Sequence, residues 1–319
     1  MNEMNIIDVT LRDGGHAVNF DWPIDFARDY YRLISSFKEV SFVELGYWKQ
    51  LSKSNKDYYQ LDIDKVSNVT QKAGLKNVAI MIDFHYCSHI LSDYPTNEQN
   101  EISLIRLCSR KEDLKNAIEF GEKLKAYTGL LVSLNIFNTS NYSEDELLSV
   151  SKLVSKSKFD YIYFADTHGS INLKHDSKKF INAITILSKA NKKIGLHLHD
   201  HSGLAYYNYQ KLFDLNVDFT DTSVRGMGKG SGNLKLEFII NKADLINLSQ
   251  LILNYNNLLT ITPTPYELIS AKYSVTDNYA NEAQKLNLTI MQFDNFCKTL
   301  TNLDKDSYKN DLITFFLNE

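Results

Sequence analysis

Residues 193–200 read Lys193-Ile194-Gly195-Leu196-His197-Leu198-His199-Asp200, a short, largely apolar run of strand length that ends in polar groups. Side chains at i and i+2 of a strand project to the same face, so both imidazoles reach one point in space. A metal ion is the simplest occupant of that point. On its own, a His-x-His pair is more often two unconnected polar residues at a strand end, so its meaning depends on the rest of the chain.

Similar runs precede and follow it: Met4 to Leu11, Val40 to Leu45, Val78 to Ile82, Ile102 to Leu107, Leu130 to Phe137, Tyr161 to Phe164 and Val217 to Thr222. Helical spacing marks Phe26 to Phe37, Leu114 to Leu124, Glu144 to Val154 and Phe180 to Ala190 between them. Ser143 followed by Glu144-Asp145-Glu146 is a good helix start, a capping hydroxyl with acids in the first turn. Strands alternating with helices imply parallel β-α-β units with right-handed crossovers. The expected fold is α/β, a TIM (β/α)8 barrel over residues 1–260 with a C-terminal helical extension over 261–319. The boundary is placed at Thr262-Pro263-Thr264-Pro265, where the prolines interrupt regular structure. Beyond Glu237 the helical pattern covers Leu245 to Leu259 and Tyr266 to Leu300.

Active sites of this fold gather at the C-terminal ends of the strands. Polar residues fall there along the whole chain: Arg12, Asp13 and His16, then Glu44, then Asp83 and His85, then Arg106. Asn135 and Asn138 follow, then Asp166 and His168, the His197 and His199 pair, and finally Arg225 and Asn233. One or two such residues would mean nothing, whereas a full ring points to a site. Asp8-Val9-Thr10-Leu11-Arg12-Asp13-Gly14-Gly15-His16 is the richest stretch. Arg12 is a permanent cation whose fork suits a carboxylate or enolate oxygen, Asp13 is a hard oxygen ligand, and the glycines let backbone approach a ligand closely. In isolation the same residues would be a surface ion pair and a turn.

Composition narrows the partners. A net charge of -4 lacks the basic excess that binding a phosphate backbone needs, so nucleic acid is not expected. Neither a signal-like N-terminus nor a long apolar run is present, which predicts a protein off the membrane. Cys87, Cys108 and Cys297 are odd in number and lack Cys-x-x-Cys spacing, which disfavours a disulfide framework and fits the cytoplasm.

The Asp8–His16 segment, the His197-Leu198-His199-Asp200 segment and Gly226-Met227-Gly228-Lys229-Gly230-Ser231-Gly232-Asn233 together resemble the DRE-TIM metallolyases, the HMGL-like superfamily. That superfamily holds 4-hydroxy-2-oxovalerate aldolase, hydroxymethylglutaryl-CoA lyase and the isopropylmalate and homocitrate synthases. With Val43-Glu44-Leu45-Gly46 and Ala165-Asp166-Thr167-His168-Gly169, the matching motifs run in family order from the first strand to the eighth. The resemblance implies that Asp13, His197 and His199 bind a divalent cation, with Asn233 as a ligand or near-ligand. One carboxylate and two imidazoles suit Mn2+ or Mg2+, and zinc is the alternative. Asp200 is a candidate to orient a histidine, or only to cap the following turn.

Gly15-His16 stands where the synthases typically carry Glu-Gln, and Arg-Asp-Gly-x-His is similar to the 4-hydroxy-2-oxoacid aldolase branch. The glycine-rich segment has no cysteine of the hydroxymethylglutaryl-CoA lyase kind, and the chain has little room for a regulatory domain of the leucine type. In the aldolase branch the histidine matching His16 is the base towards the 4-hydroxyl. The expected reaction is cleavage or formation of a 4-hydroxy-2-oxoacid, giving pyruvate and an aldehyde through an enolate stabilised by Arg12 and the metal. Glu44 joins Arg12 and His16 as a candidate catalytic residue, and Thr167 and Tyr266 join Arg12 as candidate substrate contacts. The rival readings are a Claisen-type acyl-CoA synthase or lyase, a non-catalytic metal-binding partner subunit, and an isomerase with Asp83 or His85 as base. Two departures bear on the substrate: the chain is shorter than the known aldolases at its helical end, and Asn19-Phe20-Asp21-Trp22 and Tyr47-Trp48-Lys49 are rich in aromatics. Partners to test for, by family analogy, are a second copy of the chain and an aldehyde dehydrogenase, besides the small-molecule 2-oxoacid and aldehyde.

Overall fold

A computed structural model describes residues 4–49, 51, 56–71, 77–99, 101–261 and 263–318. Its strands are β1 (Asn5–Asp8), β2 (Val40–Tyr47), β3 (Asn77–Asp83), β4 (Ile102–Ser109), β5 (Leu131–Ile136), β6 (Tyr161–Asp166), β7 (Lys193–Leu198) and β8 (Phe219–Thr222). They pair in sequence order as a closed barrel, and all pairings are parallel, β1 meeting β8 with Asn5 beside Phe219 and Asp8 beside Thr222. The expected TIM barrel is therefore the fold.

Outside the barrel lie α1 (Ile24–Ile34), α2 (Ile63–Thr70), α3 (Leu114–Thr128), α4 (Glu144–Val154), α5 (Leu173–Lys189), α6 (Ala205–Leu212) and α7 (Lys242–Asn254). Helix α1 buries Phe26, Ala27, Tyr30, Tyr31 and Ile34, one face of a 3.6-residue period. Ser143 and Glu146 form the capping box that starts α4. Between β3 and β4 the described residues make only 3-10 turns, Leu91–Asp93 and Asn97–Gln99. Strand β1 is shorter than its apolar run suggests. The Asp8 carboxylate accepts hydrogen bonds from Thr10 backbone and hydroxyl, and Asp13 N–H reaches back to the Val9 carbonyl, so the chain curls out of the sheet after Asp8. That curl carries Arg12 and Asp13 over the barrel mouth.

The C-terminal region comprises α8 (Pro265–Tyr273), α9 (Asp277–Lys285), α10 (Ile290–Thr299), α11 (Asn302–Asp306) and α12 (Asn310–Asn318). Thr264 and Glu267 cap α8 reciprocally with Pro265 at its first position, so part of the proline stretch opens a helix; Thr262 lies outside the described residues. The apolar pattern from Tyr266 to Leu300 resolves into three helices, because Ser274 turns left-handed at φ 51° and Thr289 caps a new start. These helices have a core of their own around Val275, Tyr279, Phe293, Phe296 and Ile313. No helix among the described residues is long and apolar enough to cross a membrane.

Inside the barrel Ile7, Val9, Phe42, Ala79, Leu104 and Phe219 form one apolar cluster. Polar side chains occupy the same barrel interior: Glu44 from β2, Arg106 from β4, Tyr163 from β6 and Asp221 from β8. Four residues from alternate strands is the layer geometry of this fold, here built from three charged side chains and a tyrosine instead of branched aliphatics. Arg106 donates to Asp221 at 2.6 Å and to Glu44 at 3.2 Å, and its guanidinium carbon sits 4.5 Å from the centre of the Tyr163 ring. Gly195 on β7 makes room for that ring, since a Cβ there would overlap it. Gly195→Ala is expected to cost about 1–3 kcal/mol by overpacking. The measurement is the Tm of the variant, and an unchanged Tm would show that Tyr163 has space to move.

Candidate active site

Above the polar layer a cavity of about 900 Å3 opens at the C-terminal ends of the strands. Arg12, Asp13, His16, Thr167, His197 and His199 all line it, as do Asp83, His85 and Asn138. The barrel thus brings together residues separated by more than half of the sequence.

Asp13 Oδ2 lies 3.9 Å from Nε2 of both His197 and His199, and the two Nε2 atoms are 3.0 Å apart. All three residues are buried, and they form a group able to hold one metal ion. His197 Nδ1 is hydrogen-bonded to Asp221 Oδ2 at 2.8 Å, which turns its Nε2 towards Asp13 and His199. Burial pushes His199 well below its ordinary pKa, and a neutral imidazole is the form that ligates. Asn233 donates to Asp13 Oδ2 at 2.6 Å and to the Met227 carbonyl, leaving its buried Oδ1 without a partner. A cation would satisfy that oxygen, so the donor set fits a divalent ion with oxygen and imidazole ligands.

Buried charges link the triad into a ring. Arg12 donates through Nη1 to Asp13 at 2.6 Å and through Nε to Glu44 at 2.7 Å. Glu44 also holds Arg106, Arg106 holds Asp221, and Asp221 returns to His197. The ring sets two guanidinium groups against three carboxylates, Asp13, Glu44 and Asp221, and the surplus negative charge favours a cation at its closing point. Burial alone would raise the pKa of Asp13, but Arg12 and the two histidines outweigh it and hold the carboxyl well below the usual range. Asp221 is held down in the same way, Arg106 and His197 overcoming its burial.

His16 is lowered to about 4, chiefly by burial, so its ring is neutral near pH 7. It sits edge-on to Phe20 with ring centres 4.9 Å apart and to Tyr47 at 6.2 Å. The aromatic segments around residues 20 and 47 therefore wall the His16 ring.

Other expected site residues fall elsewhere. Glu44 is fully buried and does not line the cavity; its bonds to Arg12 and Arg106 make it a positioning residue for Arg12. Tyr266 lies apart as well, its hydroxyl donating to the Leu288 carbonyl and its ring packed on Phe293 in the C-terminal core. Thr167 does line the cavity, with its hydroxyl accepting from Asn138 N–H. Asp200 caps the start of α6 by accepting from Ala205 N–H, and Asp221 takes the histidine-orienting place. Asp166 folds the loop after β6 by accepting from Ser170 and Ile171, and Arg225 points away to Asn256. Asp221 had one sequence signal: a charge inside an apolar strand must be paired when buried. Asp277, Asn278, Asn281, Ser307 and Tyr308, which also line the cavity, had none.

A sequence profile described as HMGL-like matches residues 3–262. An oxaloacetate decarboxylase of Mycobacterium tuberculosis is 23% identical over 246 residues, 74% of this chain and 68% of that protein. A 4-hydroxy-2-oxovalerate aldolase of Geobacillus genomosp. 3 is 24% identical over 248 residues, covering 74% and 69%. Among solved structures, the N-terminal domain of a Bacteroides vulgatus protein named as a candidate aldolase superposes with a TM-score of 0.72 at 20% identity, covering 90% of this chain and 98% of that one.

Because Asp221 fixes the tautomer and aim of His197, Asp221→Asn is expected to weaken divalent-cation binding about 10–100-fold. Calorimetric titration with Mn2+ reads the affinity, and a Tm measured alongside separates this from loss of fold. Unchanged affinity would mean that His197 keeps its aim without Asp221.

Proposed function

The chain belongs to the HMGL-like family and is a carbon–carbon lyase, and from that premise we propose that its substrate is a 4-hydroxy-2-oxoacid, split into pyruvate and an aldehyde or made from them. The observation that carries this reading is the convergence of a neutral His16 and a free edge of Arg12 on the cavity that holds Asp13, His197 and His199.

We assign Asp13, His197 and His199 as metal ligands, with Asn233 completing the set, and Mn2+ or Mg2+ as the ion. When bound, the cation supplies a Lewis acid for the 2-oxo carbonyl. A ring nitrogen of His16 takes the proton of the 4-hydroxyl, the C3–C4 bond breaks, and its electron pair moves into an enolate while the aldehyde departs. Arg12 spends Nε and Nη1 on Glu44 and Asp13, and its Nη2 has no partner among the described residues. That edge donates to the substrate's carboxylate or to the enolate oxygen, where charge grows in the transition state and a fixed cation helps most. Glu44 holds the guanidinium in place. Returning the proton to C3 yields pyruvate, and the reverse order of events joins pyruvate to an aldehyde.

His16→Ala is expected to lower turnover by about 10²–10⁴-fold while metal content stays at the wild-type level. Metal analysis beside a coupled pyruvate assay checks this, and loss of metal with retained turnover would overturn the assignment. Because His16 is held near 4, turnover should not fall as pH drops from 8 to 6, where an ordinary histidine with a pKa of about 6.5 would begin to charge. Thiol release from acetyl-CoA, or oxaloacetate decarboxylation in place of aldehyde release, would favour another member of the family.

A further inference from the structure

The cavity extends well beyond the triad, and what lines that part bears on the aldehyde. At about 900 Å3 the cavity is in the size range that encloses drug-sized ligands, more than a pyruvate and a two-carbon aldehyde need. The C-terminal helices build its far wall through Asn278 and Asn281 on α9 and Ser307 and Tyr308 between α11 and α12. Neither asparagine side chain has a hydrogen-bond partner among the described residues, and both are exposed. The rings of Tyr86 and Phe137, which flank Arg110, line the same cavity.

Charge excludes one class of ligand. Arg110 is bound to Asp83 at 3.1 Å and Lys229 to Asp277 at 2.5 Å, so each of these wall cations is already neutralised. Glu112, Asp113, Glu267 and Asp306 line the same space with no lysine or arginine partner among the described residues. A phosphate or second carboxylate on the aldehyde would meet like charge there. Hydroxyl groups meet the opposite: carboxylates accept from them, free amides both donate and accept, and ring faces pack on C–H groups. Resting on the pyruvate reading above, we propose that the aldehyde partner is a neutral polyhydroxylated aldehyde, an open-chain aldose. In the forming direction C3 of pyruvate loses a proton to His16 and bonds to the aldehyde carbon, and the carbonyl oxygen takes a proton back. No oxidant or other co-reactant is needed.

The experiment compares kcat/KM of the metal-loaded full chain for pyruvate with acetaldehyde, with neutral four- to six-carbon aldoses and with an aldose phosphate. A neutral aldose should exceed both others by at least about tenfold, the kind of margin a site built to hydrogen-bond hydroxyls delivers. Asn281→Ala and Asn278→Ala, each on an exposed helix position, should raise KM for the aldose about tenfold more than KM for acetaldehyde. Preference for acetaldehyde or for the phosphate, or a KM indifferent to both substitutions, overturns the proposal. Exchange of the pyruvate C3 hydrogens in deuterated water is read separately. Its absence sinks the pyruvate reading, and exchange with indifference to aldoses sinks the acceptor alone.

Discussion

The structure turns on one guanidinium with no contact to solvent. Arg106 lies across the interior of the barrel, fastened to Asp221 on β8 and to Glu44 on β2, with the Tyr163 ring of β6 against its face. A charge in such a place is costly to desolvate and is tolerated only when its partners are well placed. Here the partners are also the supports of the site. Asp221 aims His197, and Glu44 anchors Arg12, so the same cation sets the positions of a proposed metal ligand and of the arginine proposed to bind substrate. Losing one partner of such a network typically costs about 3–5 kcal/mol, because a buried charge is left uncompensated. The barrel therefore gives up some stability that a layer of leucines would supply and obtains a rigid platform instead.

Much of this was legible in the sequence, for physical reasons. A strand's two-residue period makes His197 and His199 share a face, and alternation of strands and helices leaves few ways to close the sheet. The two together bring the histidine pair to the barrel mouth, and the family resemblance of the Asp8–His16 segment adds Asp13 to it. The roles of Glu44 and Asp200 were not legible, because a carboxylate at a strand end looks the same whether it faces substrate, an arginine or a helix start. Tyr266 misleads similarly: a tyrosine beside a proline stretch carries no mark of whether its hydroxyl meets a ligand or, as here, the Leu288 carbonyl. Asp221 was hidden within an apolar run, where only the rule that buried charges come in pairs would have singled it out.

The contribution of the last helices was also beyond reach of sequence patterns. Asp277 becomes part of the cavity by pairing with Lys229 of the glycine-rich segment, and Asp306 by pairing with His168 after β6. Both contacts join residues far apart in the chain and depend on how two hydrophobic cores meet. Periodicity reports the cores and is silent about their junction.

The polar layer and the triad above it belong wholly to the barrel, whereas much of the far wall of the cavity belongs to the appended helices. On the proposed function, bond-making machinery and acceptor choice are carried by separate stretches of one chain, joined by ion pairs and by hydrogen bonds such as those from Asn141 to Ser274 and Asp306. Descendants could change diet by remodelling the tail while inheriting the reaction unaltered, and a divergent C-terminus beside an intact barrel is the trace such a history would leave.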